Sequence, residues 1–248
     1  MLRLRLLALP FLILAFGSNA GAANLTIGVE DLEYFPQYGV VNGVYGGYGR
    51  ELLDAYARDR GHHIDYVPLP ISRLFADFLA GKLDLKYPDN PGWMPEAKVG
   101  KGVRYSDPVV AFVDGLSVPA AKKGQPLTAL RTIGTVRGFT PAGVKDMLAS
   151  GQVTLVENAN FAGLVQQAIQ GRVDATLANI AVVKGQLRSL GQPDALVFDA
   201  NLPYTKSNYY LSTLNRPEIL ADFNQWQKEK HEFIAALKRR YDVEAGVE

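Results

Sequence analysis

The chain has 248 residues, 26 Lys and Arg against 25 Asp and Glu, 48% hydrophobic residues and no cysteine. Without cysteine there is no disulfide framework, thiolate metal site, cysteine nucleophile or lipid-modified cysteine anchor. The near-neutral balance gives no electrostatic footprint for nucleic acid or an anionic membrane surface.

Arg3 and Arg5, an apolar run over residues 6–16 and the small residues Ala20-Gly21-Ala22 follow the plan of a secretory signal peptide over residues 1–22. The run is too short for a permanent span, although an uncleaved N-terminal anchor is the alternative. Setting aside Arg3 and Arg5 leaves 24 basic residues against 25 acidic ones. The remaining ~226 residues suffice for one large domain or two small lobes. An exported chain with no lipid anchor is expected in a Gram-negative periplasm, with secretion to the medium as the alternative.

Residues 25–30 read as a strand and 31–48 as a loop rich in Gly and aromatic residues. Residues 50–60 place Leu53, Tyr56 and Ala57 on one helical face ending at Gly61. A strand over 64–68 follows. Next comes a helix capped by Ser72, with a Leu74, Phe75, Phe78, Leu79 stripe stopped at Gly81, then a strand over 83–87. The middle of the chain repeats this plan, with strands over 132–136, 153–157 and 173–178 and helices over 141–148 and 161–170. Residues 64–87 align without a gap on 154–177. Leu74 falls on Leu164, Gly81 on Gly171, Lys82 on Arg172, and Asp84 on Asp174. Residues 109–118 and 196–211 are long and extended and read as two strands crossing between lobes. Residues 222–240 form a terminal helical region. The expected fold is α/β, two Rossmann-like lobes joined by a two-strand hinge. Residues 23–110 with 205–248 form the first lobe and 111–204 the second.

The order of motifs resembles the bacterial family 3 extracellular solute-binding proteins, which have the type II periplasmic binding protein fold and serve polar amino-acid ABC transporters. The resemblance spans the mature chain. It rests on Tyr34-Phe35-Pro36 after the first strand, Gly47-Tyr48-Gly49-Arg50-Glu51-Leu52, Leu79-Ala80-Gly81-Lys82-Leu83-Asp84, Tyr105-Ser106-Asp107-Pro108, Gly171-Arg172-Val173-Asp174-Ala175 and residues 217–226. The family's carboxylate-clamping arginine would fall at Ala97, beside Lys98, which lacks a guanidinium's two-pronged geometry. Its ammonium-binding aspartate would fall at Asn179. Neither half of the usual zwitterion clamp is therefore present in its usual form.

Ligands in such folds sit beyond the carboxyl ends of the strands, which selects four segments. Tyr34 and Phe35 could enclose a ligand or pack their own loop. Asp89, Asn90 and Trp93 could offer acceptors and an aromatic wall, or form a turn stabilised by Asx hydrogen bonds. Arg137, Phe139 and Thr140 lie before a helix and form a candidate anion site, against a capping Thr140 and a solvated Arg137. Asn158, Asn160 and Asn179 can donate and accept at once. Arg73 points either into the cleft or into solvent. Asp84 and Asp174 begin strands, at the wrong end for a ligand, and read as structural. His62, His63 and His231 lack metal-ligand spacing, and no cofactor motif is present.

The resemblance implies reversible capture of a small polar ligand, amino-acid-like or an organic acid, by a monomer that docks on a membrane transporter permease. The alternatives are a ligand sensor for a membrane receptor, or a dehydratase-like enzyme using Glu33 or Asp89 as acid or base.

Overall fold

The computed structural model describes residues 21–247. The signal peptide expected over residues 1–22 lies almost wholly outside the described residues.

The first part of the chain runs through β1 (Asn24–Glu30), β2 (Glu33–Tyr34), β3 (Tyr38–Val41), β4 (Val44–Gly46), α1 (Tyr48–Arg60), β5 (His63–Leu69), α2 (Ile71–Leu79), β6 (Leu85–Asp89), α3 (Pro95–Lys98) and β7 (Arg104–Tyr105). The long strand β8 (Val110–Pro119) leads into β9 (Thr132–Val136), α4 (Lys145–Ala149), β10 (Thr154–Asn158), α5 (Phe161–Ile169), β11 (Ala175–Asn179), α6 (Ile180–Ser189) and β12 (Leu196–Phe198). A second long strand, β13 (Tyr204–Thr213), returns to α7 (Pro217–Glu229) and α8 (His231–Tyr241).

The main sheet has the order β10-β9-β11-β8-β13-β6-β1-β5, with β12 alongside β8 and β7 alongside β13. Its two ends are parallel triplets, β5-β1-β6 and β10-β9-β11. They are joined through β8 and β13, which pair antiparallel with Val110 opposite Tyr209 and Gly115 opposite Tyr204. Each triplet carries its own helices, α1 and α2 on one and α5 and α6 on the other. The result is the two-lobed α/β architecture with a two-strand connection. Glu30, Asp89, Asn158 and Asn179 are the last residues of β1, β6, β10 and β11.

The repeat visible in the sequence is carried into side-chain geometry. Asp84 Oδ2 accepts from the backbone N–H and hydroxyl of Thr26, both at 2.8 Å. Asp174 Oδ2 accepts from the same two groups of Thr132, at 3.0 and 3.1 Å. Both aspartates tie the start of their lobe's central strand to the chain arriving from a helix, a structural role. The two helices end alike. Gly81 donates to Phe78 and Lys82 to Asp77, while Gly171 donates to Ala168 and Arg172 to Gln167. This is the Schellman pattern, with a glycine in the left-handed region at φ 72 and 70.

Gly28 in β1 and Gly134 in β9 are also equivalent. A Cβ on Gly28 would lie 2.5 Å from Leu74 Cδ1 and from Leu83 Cδ1, and one on Gly134 would lie 2.5 Å from Leu164 Cδ1. Helix and strand meet too closely for a methyl group. Gly28→Ala is expected to cost about 1–3 kcal/mol through overpacking, read as a lower urea midpoint at unchanged slope.

Three expectations are corrected. Residues 31–48 hold a small antiparallel sheet, β2-β3-β4, where a loop was expected. Ser72 does not cap α2, because the helix starts directly after Pro70, whose carbonyl accepts from Leu74 at 2.8 Å. The second crossing is two strands: β12 stays with β8, and Asp199 organises the turn before β13 by accepting from Gly124 and Asn201. Helix α6 follows β11 without a break. Its Ile180-Ala181-Val182-Val183 opening is rich in β-branched residues, and the cap on Asn179 starts the helix there.

Candidate functional site

The carboxyl ends of β1, β6, β9 and β11 converge on a small cavity between the lobes. Glu30, Tyr34, Tyr38, Ile71, Phe75 and Trp93 line one side, and Asp114, Gly138, Phe139, Thr140 and Tyr209 the other, around about 30 Å³. An adjoining space of about 80 Å³ shares Trp93, Asp114, Phe139 and Thr140 and adds Asn90, Phe112, Thr135 and Ser207. A larger groove of about 940 Å³ between α6, α7 and α8 is open to the outside and away from these strand ends.

The lobes touch across the cavity. The Tyr34 hydroxyl accepts from the Asn179 backbone N–H at 2.8 Å, and the Tyr34 ring meets Phe139 and Phe161 edge-on at 5.3 and 5.1 Å. The Met94 N–H reaches the Thr140 hydroxyl at 3.4 Å. Asn179 supports these contacts from behind. Its Oδ1 caps α6 by accepting from Ala181 and Val182, and its Nδ2 donates to the Tyr209 hydroxyl at 3.2 Å. Every polar atom of its side chain is engaged, so it orients the two phenols. Burial pushes the Tyr34, Tyr38 and Tyr209 hydroxyls well above the usual phenol range, which keeps them neutral.

Beneath the cavity lies a closed ionic group. Asp89 is fully buried and accepts from Lys98 Nζ at 2.8 Å, Lys86 Nζ at 3.4 Å, Ser212 Oγ at 2.7 Å and the Asn90 N–H at 2.8 Å. Lys86 also donates to the Pro88 carbonyl at 2.6 Å, and Lys98 to the Asn90 carbonyl at 2.7 Å. Burial lowers the Lys98 ammonium, and the Asp89 charge partly offsets this.

Two further carboxyl groups face the cavity. Glu30 accepts from the Tyr38 hydroxyl. Asp114, in the crossing strand β8, has its Oδ1 buried with no hydrogen-bond partner. Burial raises both, against the nearby Lys86 charge at Glu30 and reinforced at Asp114 by the Glu30 charge; Asp114 is pushed up to about 7. The folded state thus holds the Asp114 proton up to about pH 7, whereas the unfolded chain releases it near its ordinary value of 3.8. Below that value both states are protonated and Asp114 has no effect. Through the window from about 4 to 7 the unfolded state binds fewer protons, so stability falls as pH rises. Asp114→Asn is expected to remove on the order of 2 kcal/mol of this fall, read from urea midpoints at pH 4.5 and 7.5.

Of the residues singled out from the sequence, Tyr34, Asn90, Trp93, Phe139 and Thr140 line the two cavities. Asp89 lies just behind them, saturated by its own donors. Asn90 forms an Asx turn, accepting from Gly92 and donating to Ser207 and Asn208. The others are elsewhere. Phe35 is 39% exposed and covers Gly39 of the small sheet. Arg73 is exposed and paired with Asp77 at 2.5 Å. Arg137 is exposed, and the N–H groups of Arg137 and Phe139 donate to the Asn158 and Val136 carbonyls. Asn158 accepts from Asn160, which caps α5 through Gly163. Sequence reasoning missed Glu30, Tyr38, Ile71, Phe75, Asp114 and Tyr209. Glu30 stands four residues before Tyr34, the residue selected after the first strand. A lone carboxylate in the apolar run Val110-Ala111-Phe112-Val113-Asp114 was a legible signal for Asp114.

No family model matches the sequence, and no curated protein matches it. Solved structures do. One is the ancestral amino acid-binding protein AncCDT-1, a precursor of cyclohexadienyl dehydratase: TM-score 0.70, 22% identity, 88% of this chain and 95% of that one covered. The P235GK mutant of ArgBP from T. maritima matches with TM-score 0.70 at 19% identity, covering 89% of this chain and 96% of that one. The fold is that of the periplasmic binding proteins. It also matches a histidine kinase sensor domain with similarity to these proteins, at TM-score 0.69 and 15% identity over 88% of this chain and 95% of that one. At such identities the likeness defines the fold, and the site must be argued from its own residues.

Proposed function

We propose that this is a solute-binding protein of a bacterial periplasm, whose lobes close on a small ligand and present it to a membrane transporter. Residues 23–110 with 205–248 move as one lobe and 111–204 as the other, about β8 and β13. The observation that carries the reading is an enclosed cavity at the strand ends, walled by side chains of both lobes. A ligand touching both walls favours the closed state by its differential affinity, the requirement for ligand-driven closure. Solved structures of this fold include arginine-binding and ABC-transporter substrate-binding proteins, which supports the same reading.

The test is a thermal-shift screen of the mature protein over amines, zwitterions, organic acids and neutral polar solutes. A true ligand at a hundred times its Kd stabilises by about 2.7 kcal/mol. No stabilising solute in any class would count against capture. An enzyme reading would draw on the buried Asp114 carboxyl, which burial pushes up to about 7, where a general acid or base works best. Recovering the bound solute chemically unchanged after prolonged incubation supports binding; a product supports the enzyme. Uptake that survives deletion of the gene would move the assignment from importer to sensor.

A further inference from the structure

We infer that the cavity selects a small organic cation without a carboxylate, such as an alkylammonium ion, held between Glu30 and Asp114. This rests on the solute-binding reading of the same site and names its ligand class.

Charge is the first ground. Two carboxyl groups face the cavity, and neither has an ion-pair partner within 4 Å among the described residues. Both nearby lysines, Lys86 and Lys98, are paired with Asp89, and neither forms an ion pair with Glu30 or Asp114. Arg73 and Arg137 are exposed outside the cavity, and Ala97, where an arginine would hold a carboxylate, is exposed as well. An anionic group entering here would meet Glu30 and Asp114, and the nearest ammonium groups are already paired with Asp89. An ammonium group would instead supply the donor that the buried Asp114 Oδ1 lacks.

The walls are the second ground. Tyr34, Tyr38, Phe139 and Tyr209 present aromatic surface to the same space. The protein's own ammonium already uses such surface nearby, since Lys86 Nζ stands 4.3 Å from the Phe75 ring centre and 5.5 Å from that of Trp93. Aromatic faces combined with carboxylates in a buried pocket stabilise cations through both ring quadrupoles and charge. Spaces of about 30 and 80 Å³ limit the occupant to a few non-hydrogen atoms. Glu30 ends β1 of the first lobe and Asp114 lies on the connecting strand β8, while Phe139 and Thr140 line the same space from the second lobe, so an occupant touches both lobes.

The experiment is calorimetric titration of the mature protein, at matched ionic strength, with ethylammonium and tetramethylammonium chlorides. Tert-butanol serves as the neutral comparator, sodium acetate as the anion and L-alanine as the zwitterion. At least one cation should bind ten or more times tighter than tert-butanol. Its affinity should rise as the pH goes from 5.5 to 7.5, because ionised carboxyls are the receptors, and fall at least tenfold in Asp114→Asn. The isosteric Glu30→Gln should weaken it as well, and circular dichroism checks that both variants are folded. The inference is overturned if neither cation outbinds tert-butanol, or if Asp114→Asn and Glu30→Gln both bind the cation like the unaltered protein. Tighter binding of acetate or L-alanine than of either cation would overturn it too, while leaving solute capture intact.

Discussion

Replacing Asp89 with alanine is expected to lower the unfolding free energy by about 3–5 kcal/mol, the usual range for stranding a buried charge. Lys86 is wholly buried and the Lys98 side chain only 7% exposed. Both ammonium groups would lose their carboxylate with little water to replace it. Ser212 and the Asn90 N–H would lose an acceptor at the same time. The lysines are not symmetric in this respect. Lys86→Met should cost much less than Asp89→Ala, because Asp89 keeps Lys98, and Lys86→Met added to Asp89→Ala should recover part of the loss. Urea unfolding of the three variants reads the pattern. A loss under about 1 kcal/mol for Asp89→Ala, the range typical of exposed pairs, would mean the lysines reach solvent. The cluster fixes the end of β6 and the turn carrying Trp93, so it bears on the cavity by positioning its wall.

The second large effect is expected at Trp226, which is fully buried in α7. Its ring stacks on Phe223 at 5.9 Å and meets Tyr56 of α1 edge-on at 5.6 Å, and its Nε1 donates to Asp59 at 2.9 Å. Trp226→Ala should cost about 3–5 kcal/mol by emptying this space, while Asp59 keeps its Lys230 partner at 3.1 Å. Trp226→Phe should lose less. This packing anchors the C-terminal helices to the first lobe, far from the cavity. Denaturation midpoints should therefore fall steeply while ligand affinity at low temperature stays within about twofold. A large loss of affinity in a folded Trp226→Phe protein would show that this anchor is coupled to the cleft.

Much of the fold was legible because it depends on short-range chemistry. Gly81 and Gly171 stop their helices in the same way, Asp84 and Asp174 tie down their strands alike, and the apolar stripes between them have helical spacing. The elements that escaped depend on context. Helix α6 opens on β-branched residues and is decided by a cap at Asn179, and the small β2-β3-β4 sheet lies in a stretch dominated by Gly and Tyr. The site was less legible for a related reason. A polar residue at a strand end is the same letter whether it meets a ligand or its own backbone. Asn158, Asn160 and Asn179 turned to helix starts, whereas Glu30 and Asp114 kept their carboxyl groups at the cavity. Only the three-dimensional arrangement of donors separates the two groups.

Ligand-driven closure should bring the two lobes together. Because the chain has no cysteine, the double variant Lys101→Cys, Lys145→Cys offers two unique labelling sites, exposed and on opposite lobes. Pulsed electron–electron resonance between spin labels there reads the interlobe distance directly. Adding tetramethylammonium chloride, or any screened solute that calorimetry shows to bind, should collapse the distance distribution toward a single narrow population. A bound solute that leaves the distribution unchanged would contradict the account.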